Sequence, residues 1–255
     1  MGPVSIFIEA VACSVDDCLE AEAGGADRLE LCSAMMVGGL TPSLGTLIDA
    51  RAATPLPIVT MIRPRAGGFC YTPREFATMM RDAELAANHG ADGLVFGILT
   101  ADGRVDAARC QEFLDAARRN GVRQITFHRA FDVTPAPYDA LFTLIDLGVT
   151  RILTSGREPT ALKGAPLIRQ LAARAAGRIE ILPGGAIRED NVEDVMQATG
   201  LRQVHLGPFV LMPDVSGRAN PSLTTFSTNR IPPEGQYQLA DRAALARVRQ
   251  AAGER

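Results

Sequence analysis

The feature that most limits what this chain can fold into is a repeat. A short apolar run rich in β-branched residues, a polar loop and a helical stretch follow one another along most of the sequence. The apolar runs are SIFIEA (5–10), DRLELC (27–32), PIVTMIR (57–63), DGLVFG (92–97), RQITFH (123–128), RILTS (151–155), RIEILP (178–183) and RQVHLG (202–207). Amphipathic segments such as 73–90 and 105–121 lie between them. In the second, Val105, Ala108, Phe113, Ala116 and Ala117 approximate one helical stripe. Gly25, Gly90, Gly121, Gly148, Gly177 and Gly200 stand where helices should stop, supplying a left-handed turn before the next strand. Near-continuous apolar strands alternating with helices demand a parallel sheet covered by helices. Eight such strands is the number that closes a ring. The spacing therefore predicts a (β/α)8 barrel as a single domain over residues 1–255, with its core at 4–208. An open doubly wound sheet is the alternative.

After about residue 208 the rhythm stops. Residues 209–239 are rich in Pro, Ser, Thr and Asn and read as a long loop over one end of the barrel, followed by a last helix at 240–252. Composition narrows the partners. A formal net charge of -3 and a pI near 5.7 give no electrostatic reason to approach nucleic acid or anionic lipid. No apolar run is long enough to span a bilayer. The start, MGPVSIFIEA, lacks the basic leader and cleavage pattern of a secretory signal. Five cysteines without CxxC pairing point to reduced thiols in a cytoplasm, not to a disulfide framework or a structural zinc site.

In a barrel of this kind the working residues sit at the C-terminal ends of the strands and in the loops that follow. The polar groups at those positions are Glu9, Glu30 with Cys32, Arg63 with Arg65, His128 with Arg129 and Asp132, Thr154 with Ser155, Gly184 with Gly185, and His205. Side chains alternate faces along a strand. Glu9, Val11 and Cys13 therefore share a face, as do Glu30 and Cys32, and Thr126 and His128. Carboxylates inside a barrel need partners or solvent. Glu9 and Glu30 with nearby arginines form either a structural ion-pair ring or the wall of a site.

The stretch ITFHRAFD (125–132) carries the most chemistry. The ordinary pKa of His128 suits proton transfer near neutrality, Arg129 is a planar fork for a carboxylate or phosphate, and Asp132 is placed to orient the imidazole. IRPRAGGFCY (62–71) adds two arginines and a Gly-Gly turn. LPGGAIRED (182–190) puts Gly184 and Gly185 ahead of a helix beginning near Glu189, where loops after the seventh strand often bind phosphate. RLELCSAMM (28–36) reads as a strand end with Glu30 and Cys32 facing inward and Met35 and Met36 filling gaps in the core.

Taken in order, GGADRLELCSAMMVGGLTPSLG, MIRPRAGGFCYTPREF, GADGLVFGIL, DGRVDAARC, TFHRAFD and RILTSG resemble the signature blocks of the CutC family, usually named for copper homeostasis. The resemblance spans roughly the first 190 residues and is poor from 208 onward. It implies a (β/α)8 barrel, a cytoplasmic homo-oligomer (dimer or tetramer) and Cu(I) held by two cysteines. One of those carries over to Cys32. The other falls on Val11, so Cys13, Cys70 or Met35 would have to stand in, and Met35 itself replaces a common Leu.

Two functions follow. One is copper binding or handling through Cys32 with Cys13 or Cys70. The other is a barrel enzyme acting on a small anionic substrate, phosphorylated compounds included. There Glu9, Glu30, His128, Asp132 and His205 would do the acid–base work, and Arg63, Arg65, Arg129, Ser155, Gly184 and Gly185 would hold the ligand. A non-catalytic scaffold on the same fold is the third reading.

Overall fold

In a computed structural model, residues 6–216, 232–233 and 235–253 are described. Eight parallel strands alternate with helices: β1 (Phe7–Ala12), α1 (Val15–Ala23), β2 (Arg28–Leu31), α2 (Leu44–Ala53), β3 (Ile58–Met61), α3 (Pro73–Asn88), β4 (Gly93–Phe96), α4 (Ala107–Arg119) and β5 (Gln124–Phe127). There follow α5 (Pro137–Asp146), β6 (Arg151–Thr154), α6 (Ala161–Ala175), β7 (Glu180–Pro183), α7 (Val192–Thr199) and β8 (Gln203–Leu206). The ring runs β1 to β7 in order, with β8 laid on the far side of β1. It closes between β7 and β8 through the bridge Gly184 to His205, while the Gln203 amide donates to the Ile181 carbonyl. The predicted barrel is therefore present, and the open sheet is excluded.

Local chemistry explains the alternation. The outward faces of the strands (Ile8, Leu29, Ile58, Leu94, Ile125, Ile152, Ile181, Val204) pack under the apolar stripes of the helices. The inward faces carry a smaller apolar cluster of Val11, Cys32, Val59, Met61 and Val95 beside buried charges. Helices start at side-chain caps, as at Ser14 and Ser43, and α3 opens on a full capping box of Thr72 and Glu75 with Pro73 behind it. The six glycines expected to stop helices all take positive φ.

The region after β8 departs from the expected loop. Phe209–Pro213 (β9) and Gln236–Ala240 (β10) pair as an antiparallel ribbon, leading into α8 (Arg242–Ala251). The ribbon is anchored because the Ala240 N–H donates to the buried Asp17 carboxylate at 2.7 Å, whose other oxygen accepts from the Cys13 N–H at 2.9 Å. The centre of the expected loop, 217–231, lies outside the described residues. Helix α8 packs on α1 and α7, and its Arg249 reaches Asp27 and the Gly25 carbonyl.

Candidate functional site at the barrel mouth

The inward side chains of β1, β2 and β8 build a polar layer. Strand register places Glu9 beside Arg28 on one side and His205 on the other. The Glu9 carboxylate accepts from Arg28 Nε at 2.6 Å and from His205 Nδ1 at 2.7 Å. Burial alone would raise its pKa, but the bond from His205 and the Arg28 charge outweigh it and hold the carboxyl down at about 2. Glu30 lies 3.8 Å from His205 Nε2, and its Oε1 is buried without a hydrogen-bond partner. Burial pushes Glu30 up to about 7 against the pull of His205, and the charge on Glu9 adds to the push. Burial works against a charge on His205 too, yet the two carboxylates around it raise its pKa above the ordinary value.

One step above, the β1–β2 ladder continues through Ala12 paired with Leu31 and the Cys32 N–H on the Ala12 carbonyl. That register brings Cys13 Sγ to 3.6 Å from Cys32 Sγ. The hydrogen bond from Cys32 pulls Cys13 below the usual thiol value, helped by the Met35 amide, while the same contact and burial push Cys32 up. Cys13 takes the place that Val11 leaves open. Cys70 instead lies exposed in the loop after β3, where its carbonyl accepts from Arg65. Met35 and Met36 are more than a third exposed, on a short 3-10 turn, so they do not fill the core as expected. The turn lifts them off the strand because Ala34 and Gly38 both adopt left-handed backbone.

The remaining sequence-nominated residues separate from this centre. His128 is buried, its Nδ1 accepts from the Ala130 N–H, and its ring lies 4.9 Å from that of Phe69. Burial and the nearby Arg63 charge push it down to about 3, which favours the neutral ring and departs from the near-neutral value expected from the sequence. Asp132 does not orient it. The 129–133 turn carries that carboxylate to β6, where it accepts from Thr154, Ser155 and Arg129. Ser155 and Arg129 are joined in the same knot at 2.7 Å. Arg63 donates to the Val37, Gly39 and Gly67 carbonyls, clamping two loops together, and Arg65 is forked on Glu75 at the surface. Neither guanidinium is an open anion cradle. Gly184 bridges to His205, and Gly185, at φ +120°, borders the mouth cavity.

That cavity, of about 640 Å³, is lined by Val11, Met35 and His205 from the centre, Arg129 and Arg188 from the loops, and Arg247 of α8. Arg28 and Asp17 are functional neighbours that sequence reasoning missed. Arg28 shares strand parity with Glu30 and was legible on that ground, whereas nothing local marks Asp17.

Comparison with known proteins agrees with this geometry. The CutC family profile matches residues 6–209. A CutC family protein of Treponema denticola is 46% identical over 96% of this chain and 98% of its own length. The human copper homeostasis protein cutC homolog is 44% identical over 78% of this chain and 72% of its own length. A crystal structure of CutC from Streptococcus agalactiae superposes with a TM-score of 0.74 at 33% identity, covering 79% of this chain and 98% of that one. Thiamine phosphate pyrophosphorylase from Pyrococcus furiosus, at 13% identity and a TM-score of 0.57, shares the barrel alone. A barrel with these inward residues and these relatives belongs to the CutC family.

Proposed function

We infer that this protein binds Cu(I) through Cys13 and Cys32 and takes part in copper handling. The observation that carries this reading is the 3.6 Å separation of the two sulfurs on adjacent strands. Two sulfurs each about 2.3 Å from one ion stand roughly 3.8 Å apart at a tetrahedral angle. The pair thus fits a soft ion with almost no strand movement, and soft thiolate donors favour Cu(I). Cys13 is the readier thiolate, since its pKa is lowered, and loading would release the Cys32 proton. The human and mouse relatives bear the name of copper homeostasis proteins, which agrees. Five free thiols suit a reducing cytoplasm, and among the described residues no helix is long and apolar enough to cross a membrane. We expect a homo-oligomer, dimer or tetramer, and sedimentation would measure it. Anaerobic Cu(I) titration against a competing chelator tests the site. Cys13→Ser and Cys32→Ser should each lose most of the affinity, and a variant that binds like the parent refutes it.

A second reading, an enzyme or carrier of a small anion, is favoured by Arg129, Arg188 and Arg247 around the cavity that His205 lines. Inorganic phosphate or citrate should then raise the melting temperature, and Arg188→Ala should abolish the rise.

A further inference from the structure

Below the sulfur pair lies a second donor set of different chemistry. His205 gives Nδ1–H to Glu9 at 2.7 Å and points Nε2 at Glu30, 3.8 Å away. That gap is too long for a hydrogen bond. Glu9 is also gripped by Arg28, so it must accept at Nδ1, which in a neutral ring leaves Nε2 with a bare lone pair. A carboxylate behind an imidazole whose other nitrogen faces a gap is the arrangement that orients histidine ligands of metals. Glu30 supplies an independent sign. It is only 3% exposed, yet Oε1 has no hydrogen-bond partner. Arg28 contacts Glu9 and balances it, whereas among the described residues Glu30 has only the His205 ring, 3.8 Å from its other oxygen. Buried carboxylates are paired or coordinate metals.

The distances suit an ion. One donor atom each from Glu9, Glu30 and His205 falls within 4.8 Å of the other two. An ion about 2.1 Å from both Glu30 and His205 would subtend roughly 130°, and a contraction of about 0.4 Å reaches the tetrahedral angle. His205 also lines the mouth cavity, which offers such an ion an approach from that side. We propose that Glu30 and His205 form a site for a borderline divalent first-row cation of the zinc class, with Glu9 as the orienting group behind the imidazole. Nitrogen and oxygen donors disfavour Cu(I), so this site and the sulfur pair sort two ions by softness.

Anaerobic Co²⁺ titration of the full chain tests this independently of copper binding. The expected result is a saturable visible spectrum of low-coordinate cobalt at one equivalent, without a sulfur-to-cobalt charge-transfer band. The Cys13→Ser/Cys32→Ser double variant should keep that spectrum. Glu30→Gln and His205→Gln should lower affinity at least ~10-fold, and Glu9→Gln by about 10–100-fold. Glu30→Gln decides the matter because it alters an oxygen with no partner, and circular dichroism will verify its fold. No saturable spectrum, an unchanged spectrum in folded Glu30→Gln, or a charge-transfer band that disappears with the cysteines would each overturn the proposal. Loss of Cu(I) binding alone would bear only on the sulfur pair.

Discussion

His128 follows the last residue of β5 and His205 lies within β8, yet the two strands hold their imidazoles in opposite states. At β5 the ring is boxed by Phe69, receives the Ala130 N–H and feels the positive Arg63 nearby, and its pKa falls to about 3. At β8 the ring has carboxylates at both nitrogens and its pKa rises. Burial is nearly the same, 4% against 9% exposed. The sign is therefore set by neighbouring charge, and position along a strand says little about protonation.

The comparison can be broken hardest at its ion pairs. Glu9→Gln leaves the Arg28 guanidinium buried without a counter-charge, and denaturant unfolding should show a loss of about 3–5 kcal/mol. The two ends should next be separable by pH. A neutral buried His128 contributes stability that is present above its ordinary 6.5 and lost as pH falls toward about 3. Glu30, raised from 4.5 to about 7, contributes stability that is present below 4.5 and lost as pH rises through about 7. Each slope is at most ~1.4 kcal/mol per pH unit, and between 4.5 and 6.5 they oppose one another. His128→Phe should therefore lose stability as pH rises through that window, and Glu30→Gln should lose it as pH falls. Chemical denaturation at several pH values would measure both tilts, and parallel tilts would contradict the assignment.

A smaller effect is expected at Gly97. A Cβ there would sit 2.3 Å from His128 Cε1 and 2.7 Å from Ala130 Cβ. Gly97→Ala should cost roughly 1–3 kcal/mol and shift the His128 ring resonances while leaving those of His205 in place. The mildest test leaves stability untouched. At neutral pH an alkylating reagent should label Cys13 and exposed Cys70 first. Cys18, held at about 12 by burial, and the likewise raised Cys32 and Cys110 should react only on unfolding. Mass spectrometry of the adducts would check the order.

How much of this was legible beforehand depends on the range of the cause. The eight strands were, since Ile, Val and Leu runs and glycine stops are local signals. The meeting of Glu9, Glu30 and His205 was also legible, because strand parity plus closure brings them to one layer. The choice of Cys13 over Cys70 as the partner of Cys32 was not, since it needs the register that sets Ala12 opposite Leu31, and register is a property of two strands. Asp132 misled for a similar reason. Its distance in sequence from His128 suited a pair, but a tight turn sent it to β6. The β9–β10 ribbon escaped notice because FVLMP and QYQLA are separated by an aperiodic stretch, and neither alone declares a partner.

The placement of β8 on β1 has a consequence for how the protein is made. The Glu9–His205 contact joins residues 196 apart. At about 5–20 residues per second of synthesis, roughly ten to forty seconds pass between the emergence of one partner and the other. Through that interval the first strand has a bare edge at the ribosome, with an acid that has yet to meet its imidazole. The nascent chain must be shielded or kept loose until its tail arrives.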